Sequence, residues 1–171
     1  KAAGTVVLDR KGGRALDESR YVQAAKKAAD FILGKMRTKD GRPLHRFREN
    51  EAAIPAFLDD YAFLGNGLAE LYEATFDPHY LEEAKALIAA MIRLFWDEQT
   101  GGFYFAGEDS EKLITQTKEL YDGAVPSGNS VATLLLLRVG RLTVDREMEN
   151  RARQVMEAFS KDIDHFPSGF P

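Results

Sequence analysis

The chain has 171 residues, of which 44% are hydrophobic and 29% charged, a composition typical of one globular domain. Its 23 basic and 27 acidic residues give a formal net charge of −4, which argues against a nucleic-acid partner. The absence of cysteine excludes disulfides and thiolate metal sites and is typical of a cytoplasmic protein. No apolar run reaches the roughly 18 residues of a membrane span, so we expect no membrane partner.

The chain opens at Lys1 without an initiator Met or a signal-peptide pattern, so we expect it to be a piece of a longer protein. Residues 1–16 contain one short apolar run and predict a loose N-terminal arm. Residues 17–171 contain five segments with helical periodicity and predict one all-α domain. The predicted helices span residues 18–37, 57–75, 78–95, 126–142 and 145–160.

The five predicted helices are of two alternating kinds. The first, third and fifth carry one apolar stripe and one charged face, which is typical of helices at a surface. The second and fourth are apolar on nearly all sides, which indicates burial on all sides. Asp77-Pro78 supplies a cap and a first-turn proline for the third helix, so the turn before it is tight.

The connections alternate as well. The long ones span residues 38–56 and 97–125, and each contains a turn signal. Lys39-Asp40-Gly41 predicts a hairpin turn in the first, and Gly101-Gly102 predicts a turn into a short aromatic strand in the second. Long loops at one end and tight turns at the other predict about two and a half helical hairpins with short β-hairpin loops on one shaped rim, and functional residues concentrate on such rims.

Internal repeats indicate tandem helical hairpins, because residues 21–26 resemble residues 80–85. Two architectures fit, an α-solenoid and an α/α toroid with the buried helices as its inner ring. We favour the toroid, since solenoid connections are usually short. A ring of six hairpins needs roughly twice this length at ~60 residues per unit, so we expect at most half a ring. The positions that also recur, at a common offset of 63 residues, are Asp59 with Asp122 and Gly65-Asn66 with Gly128-Asn129.

Four segments resemble the C-terminal helical part of the spermatogenesis-associated protein 20-like, thioredoxin-domain-containing family. The resemblance covers about residues 17–160 and implies a toroid similar to N-acylglucosamine 2-epimerases and other six-hairpin glycosidases. It also implies a thioredoxin-like domain elsewhere in the full-length protein. Gln116 departs from the Arg-x-Lys stretch expected of the family. The segments are Leu58-Asp59-Asp60-Tyr61-Ala62-Phe63, Leu71-Tyr72-Glu73-Ala74-Thr75, Gly101-Gly102-Phe103-Tyr104-Phe105, and Lys118 with Asp122-Gly123-Ala124 and Pro126-Ser127-Gly128-Asn129-Ser130.

The candidate catalytic residues are Asp59, Asp122 and His45. Glycoside hydrolysis needs two carboxyls about 5–10 Å apart, and adjacent helical residues point ~100° apart, so Asp59 pairs better with Asp122 than with Asp60. His45 lies in a long rim loop and is the best candidate base, because an imidazole titrates near neutral pH. The alternative for acids at a helix start is capping and a favourable interaction with the helix dipole. The alternative for His45 is a solvated loop residue.

Eight further residues are candidates for binding sugar hydroxyls or rings. Free N–H groups at the start of the fourth helix favour a ligand oxygen there, although capping by Ser127 explains the same pattern. For the aromatic residues the alternative is packing of the loop onto the helices, which we favour for Phe103 and Phe105. The candidate binding residues are Asp60, Tyr61, Asn66, Trp96, Tyr104, Lys118, Ser127 and Asn129.

No nucleotide-binding or serine-hydrolase motif occurs, and the three scattered histidines lack metal-ligand spacing. We therefore expect no cofactor and no metal. The predicted function is a part of a carbohydrate-related toroid that binds, epimerises or hydrolyses a sugar. The alternative is a non-catalytic helical scaffold whose exposed inner helices dock the thioredoxin-like domain, another protein or a second copy of the fragment.

Overall fold

The computed structural model describes residues 19–107 and 117–165, which contain six helices and one antiparallel β-hairpin. The predicted N-terminal arm, Gln116 and the tail at residues 166–171 lie outside the described residues. The helices are α1 (Ser19–Lys35), α2 (Leu58–Thr75), α3 (Pro78–Phe95), α4 (Gly128–Thr143), α5 (Arg146–Ala158) and α6 (Ser160–His165), and the strands are β1 (Leu44–Arg48) and β2 (Glu51–Pro55).

Side-chain caps fix where three of the helices begin. The Asp77 carboxylate accepts the backbone N–H of His79 before α3, as the Asp-Pro signal predicts. Ser127 caps α4 in the same way, and Asp145 caps α5 by accepting two backbone N–H groups. Each cap satisfies donors that a helix start otherwise leaves unpaired.

The two tight turns share one backbone device. Phe76 after α2 and Val144 after α4 adopt left-handed conformations, with φ values of 55° and 57°. In each case the N–H of that residue bonds back to the last turn of the helix, to Tyr72 and Gly140 respectively. The chain therefore reverses at once, and α3 and α5 run antiparallel to the helices before them.

The buried helices α2 and α4 lie side by side and run in the same direction. Near their starts, Asp59 on α2 lies so close to Gly128 on α4 that a Cβ there has no room. Further along, Glu70 on α2 accepts a hydrogen bond from Arg138 on α4. Because the contacts advance together along both helices, both begin at the same end of the molecule, which is the arrangement the proposed rim requires.

The outer helices α1 and α3 are followed by equivalent turns. The backbone N–H of Leu44 bonds to Met36 O at 2.9 Å, and that of Tyr104 bonds to Phe95 O at 2.8 Å. The second turn reaches the start of α2, since Leu58 N donates to Phe105 O at 3.1 Å. The predicted alternation of half-buried and buried helices, with long connections at one end, is confirmed.

One sequence-based expectation is confirmed and another needs correction. The first long connection forms a β-hairpin, β1–β2, as expected for this rim, and its turn lies at Glu49 and Asn50, which both have positive φ. The turn predicted at Lys39-Asp40-Gly41 also forms, where Arg37 and Pro43 make an antiparallel bridge. The 63-residue offset is wrong for the buried helices, since Gly65-Asn66 lies in the middle of α2 whereas Gly128-Asn129 opens α4.

Among the described residues, no helix has both the length and the apolar composition needed to cross a membrane.

Candidate functional site

The end of the molecule at which α2 and α4 begin carries most of the candidate residues. We call this end the rim. It comprises the first turns of α2 and α4, the β1–β2 hairpin, and residues 103–105 and 117–122.

His45 and Asp60 form a hydrogen-bonded pair at the rim. Nδ1 of His45 lies 2.8 Å from Oδ2 of Asp60, which also accepts the backbone N–H of Phe57 at 2.9 Å. Because a carboxylate only accepts, Nδ1 carries the shared hydrogen, and Nε2 is the acceptor whenever the ring is neutral. The His45 side chain is 47% exposed, so the ring is accessible from solvent. The residue predicted as a base and the residue predicted as a hydroxyl binder are thus partners.

Asp59 occupies a more buried position in the same helical turn. Burial raises the pKa of its carboxyl, and the carboxylates of Glu119 and Asp60 raise it further. A backbone hydrogen bond from Gly128 and the charge of His45 oppose this rise in part. Asp59 therefore holds its proton to a higher pH than an ordinary aspartic acid, which is the property of a proton donor.

Asp122 holds the start of α4. Its Oδ1 accepts the backbone N–H of Ser127 at 2.7 Å, and Ser127 in turn caps the helix through Ser130 N. We had paired Asp59 with Asp122, whereas the carboxylates that raise the pKa of Asp59 are those of Glu119 and Asp60. One oxygen of Asp122 is thus committed to the backbone, and Ser127 has the capping role that we gave as the alternative.

Asn129 clamps two rim loops together. Its Oδ1 accepts from Phe103 N at 2.8 Å, and its Nδ2 donates to Phe103 O at 3.0 Å and to Glu119 O at 2.8 Å. The residue is 1% exposed and both amide hydrogens are used. Asn129, which we predicted as a hydroxyl binder, thus holds the positions of two rim loops.

Asp97 is the centre of a second network that the sequence did not single out. Its Oδ2 accepts from Thr100 Oγ1 at 2.6 Å, Lys118 Nζ at 2.7 Å and Tyr104 OH at 2.9 Å. Lys118 in particular, then Thr100 and the backbone of Gln99, holds the pKa of Asp97 well below its usual range. Lys118 and Tyr104 were predicted to bind substrate, yet both point into this network. The Asp-x-x-Thr spacing, an Asx-turn signal, was the available clue.

The aromatic residues divide into a packed set and an accessible pair. Trp96 is 8% exposed and packs edge-on to Phe103, with the Arg151 guanidinium 4.8 Å above its ring. Phe57 and Phe105 stack at 4.9 Å and are half-buried, and the His45 ring lies 5.3 Å from Phe57. The stacked pair, rather than Trp96, is the apolar surface beside the His45–Asp60 dyad.

Two predicted binding residues are not accessible at the rim: Tyr61 lies in the first turn of α2 but faces the core, and Asn66 lies further along the helix. Tyr61 is fully buried and packs edge-on to Phe95 of α3, so its ring belongs to the core. Asn66 lies eight residues into α2, roughly 12 Å from its start, where it accepts from Arg138 Nη1 at 3.3 Å. The wrong repeat offset had aligned Asn66 with Asn129 and so placed it at the rim.

The same region of α2 and α4 holds charged residues that the sequence analysis did not select. Arg138 donates through Nε to Glu73 at 2.6 Å and through Nη1 to Glu70, which is 4% exposed. Burial by itself lowers the pKa of Arg138, but its bonds to Glu73 and Glu70 raise it overall. A glutamate within an otherwise apolar buried helix was the available signal. Among the described residues, no group of three His, Asp or Glu is placed to hold a metal ion.

Comparison with solved structures shows the fold class. The cellobiose 2-epimerase from Bacillus thermoamylovorans superimposes with a TM-score of 0.75 at 15% identity, over 92% of this chain and 42% of that protein. A glycoside hydrolase family 76 α-mannanase from Bacteroides thetaiotaomicron gives 0.75 at 18% identity, over 94% and 43%. These neighbours are α/α toroid enzymes, so the predicted fold, a part of an α/α toroid, is confirmed.

Comparison with curated sequences shows the relationship of the chain. Spermatogenesis-associated protein 20 from Homo sapiens is 31% identical over 169 residues, and the protein of the same name from Rattus norvegicus is 37% identical over 116 residues. These alignments cover 93% and 67% of this chain but only 22% and 15% of the relatives, so the chain spans about a fifth of their length. No family model matches. The resemblance to the spermatogenesis-associated protein 20 family is confirmed, and the chain is homologous to one segment of these proteins.

Proposed function

We propose that this chain supplies part of a sugar-binding rim in which His45 and Asp59 exchange protons with the ligand. The observation that carries the proposal is the His45–Asp60 pair, in which a carboxylate orients an accessible imidazole at 2.8 Å. This arrangement fixes the tautomer and leaves Nε2 to accept a proton. The neighbouring Asp59, whose pKa burial raises, is suited to give one.

The geometry favours proton transfer at a carbon next to a carbonyl, as in an epimerisation, over glycoside hydrolysis. Hydrolysis needs a second carboxyl free to act across the scissile bond, whereas Asp122 bonds the backbone of α4. Epimerisation needs one group to take a proton and another to return one, which His45 and Asp59 provide. The stacked Phe57 and Phe105 rings add an apolar surface for the face of a sugar ring. The structural neighbours include cellobiose 2-epimerases as well as glycoside hydrolases, so their names support a sugar ligand for either reaction.

Calorimetry on the full-length protein tests the sugar site. The titrants are glucose, mannose, cellobiose and glucuronate, and the variants are Asp59→Asn and His45→Gln. His79→Gln is the matched control, because this exposed histidine lies in the first turn of α3, at the opposite end from the rim. We expect saturable heats for at least one sugar, weakened in Asp59→Asn and unchanged in His79→Gln. No heat with any sugar, or equal heats in the wild type and Asp59→Asn, contradicts the proposal.

Exchange of solvent deuterium into the bound sugar, followed by NMR, tests the chemistry separately. General-base catalysis is worth about 10²–10⁴-fold, so His45→Gln should slow exchange by that factor while binding persists. Asp60→Asn should give an intermediate rate, since Asp60 positions the ring without touching the sugar. Equal exchange rates in the wild type and His45→Gln contradict the assigned base.

A second candidate function is a helical scaffold, favoured by one observation on α4. Leu134 and Leu142 on this largely buried helix are 54% and 43% exposed, which leaves two apolar side chains, a strip in this function, open on either side of Arg138. In this function the strip docks the thioredoxin-like domain of the full-length protein, another protein or a second copy. Light scattering on the 171-residue chain and its Leu134→Gln variant is the test. Association that Leu134→Gln weakens supports it, and a monomeric wild type counts against self-association.

A further inference from the structure

A groove on the outer surface lies between the turn after α1 and the exposed face of α3. Its volume is about 610 Å³, within the range of small-molecule sites. The lining residues on which the argument depends are Arg37, Gly41, Arg42, Ala86, Ala90 and Arg93. We call it the arginine groove. None of these residues belongs to the candidate sugar site.

The groove is positively charged on a chain whose net charge is −4. Its three arginines face two acids, Asp40 and Glu83. Glu83 is committed to Arg37, since Oε2 lies 2.6 Å from Nη2, and the buried Nε of Arg37 has no hydrogen-bond partner among the described residues. The Arg37 guanidinium therefore has donor capacity that the protein does not use.

Arg42 and Arg93 line the same groove, one from the turn after α1 and the other from α3. Both charges also lower the pKa of Asp40, after the larger effects of the Thr38 hydroxyl and the backbone of Asp40 itself. Guanidinium groups on two walls of one groove can bind the oxygens of one anion. Arginine suits this role because its planar N–H groups match carboxylate and phosphate geometry.

The floor of the groove consists of alanines. Ala86 and Ala90 lie on the face of α3 that lines it, and their short side chains leave the volume open. Gly41 has φ of +84°, and nothing lies within 4 Å of the position a Cβ would take there, so the turn leaves space as well. Long side chains at these positions would fill the groove.

The equivalent groove after α3 has no comparable set of arginines among its described residues, so the positive charge does not follow from the repeated backbone. It lies between the turn at residues 97–101 and α5, has a volume of about 380 Å³, and is lined by Glu98, Gln154 and Glu157. The same backbone arrangement thus carries acidic and amide side chains in one repeat and three arginines in the other. The positive charge is a property of the first groove alone.

We propose that the arginine groove binds the oxyanion of a small ligand, a phosphate or a carboxylate, held mainly by Arg42 and Arg93. The proposal is independent of the sugar site. The test is an NMR titration of the full-length protein with inorganic phosphate and with succinate, against chloride at matched ionic strength to remove general screening. Variants Arg42→Gln and Arg93→Gln are compared with Arg153→Gln, an exposed arginine on α5.

We expect saturable shifts confined to residues 37–43 and 86–93, weakened at least about tenfold in Arg42→Gln and Arg93→Gln and unchanged in Arg153→Gln. A stronger response to phosphate identifies a phosphorylated ligand, and a stronger response to succinate a carboxylate. Equal binding in all variants, or no saturation with either anion at about 10 mM, overturns the proposal. Unfolding temperatures equal to the wild type show that a weakened variant is folded.

Discussion

The turn after α1 (residues 36–44) and the turn after α3 (residues 95–104) share a backbone and differ in what holds them. In the first, Thr38 and Asp40 bond to each other at 2.6 Å on the surface. In the second, Asp97 receives bonds from its own turn and from Lys118, twenty-one residues away in the chain. The aspartate of the first turn thus bonds within its own turn, whereas the aspartate of the second couples its turn to the loop before α4.

This difference has a consequence for the rim. The second connection is the longer one, and it passes the start of α2 before it reaches α4. Lys118 and Asn129 tie it down at two points, through Asp97 and through the backbone of Phe103 and Glu119. The first connection instead pairs with itself through the β1–β2 hairpin, and the His45–Asp60 bond joins that hairpin to α2.

The largest loss of stability is expected for Asn129, the side chain that holds the second turn. Asn129→Ala should lower the free energy of unfolding by about 3 kcal/mol or more, since it leaves the buried N–H and C=O of Phe103 unpaired. Urea denaturation of the variant measures this loss. Asn150→Ala, on the exposed face of α5, is the matched control and should change little. If both variants cost the same, the clamp does not hold the loops.

The next largest difference in stability is expected when the aspartate of each turn, Asp97 or Asp40, is replaced. Asp97→Ala should cost about 2–3 kcal/mol, because it removes charge-assisted bonds to Lys118, Thr100 and Tyr104. Asp40→Ala in the first turn should be indistinguishable from the wild type in the same urea titration. Equal losses would mean that the two turns are held alike.

The pH dependence of the Asp97 effect has a defined sign. The pKa of Asp97 is lowered in the native state, so its stabilisation is fully present above the ordinary aspartate pKa of about 3.9. That stabilisation is lost as pH falls through the lower native value. Wild type and Asp97→Ala should therefore converge in stability only in strong acid, and convergence already near pH 5 would contradict the ion pair with Lys118.

The glycines of the two turns provide a smaller contrast. Gly41 and Gly101 both have positive φ, +84° and +74°, so alanine at either position costs roughly 1 kcal/mol in backbone strain. At Gly101 a Cβ also approaches Gln154 O to 3.1 Å, whereas the space at Gly41 is open. Thermal unfolding should therefore show a larger loss for Gly101→Ala. The reverse order would mean that α5 does not pack against the second turn.

The smallest effect concerns the acid at the start of α2, next to the clamped loop. The raised pKa of Asp59 means that the native state holds a proton that the unfolded chain releases above pH about 3.9, so ionisation costs stability as pH rises. Asp59→Asn should be more stable than the wild type at pH 7, and the gain should vanish below pH 3.9. Asp122→Asn, which weakens a helix start, should instead lose stability. A gain of equal size at both pH values would exclude a titration of Asp59.

The helix order was predictable because burial leaves a periodic signature in the residues themselves. An apolar stripe marks α1, α3 and α5, and apolar residues all round mark α2 and α4. Asp77-Pro78 and Ser127 also marked the helix starts that the structure shows, since caps are local. A β-hairpin in the first long connection was predictable as well, but the sequence did not place its turn at Glu49 and Asn50, since Glu is not a usual residue at positive φ.

The sequence indicated which polar residues lie at the rim, but not which of them form hydrogen bonds with each other. His45, Asp60 and Asp59 were chosen correctly as residues of one rim, yet nothing in the sequence joins His45 to Asp60, which is fifteen positions away. Asn129 and Lys118 carry the same polar groups that a sugar binder needs. Their hydrogen bonds go instead to loops that the tertiary structure brings beside them.

The sequence by itself determined which helices are buried, where they begin and that long loops gather at one end, because those properties depend on neighbours along the chain. Only the tertiary structure decided which polar groups remain available. A hydrogen bond between distant residues forms when packing places donor and acceptor within about 3 Å, and that distance is set by the parallel contact of α2 and α4 rather than by any local pattern.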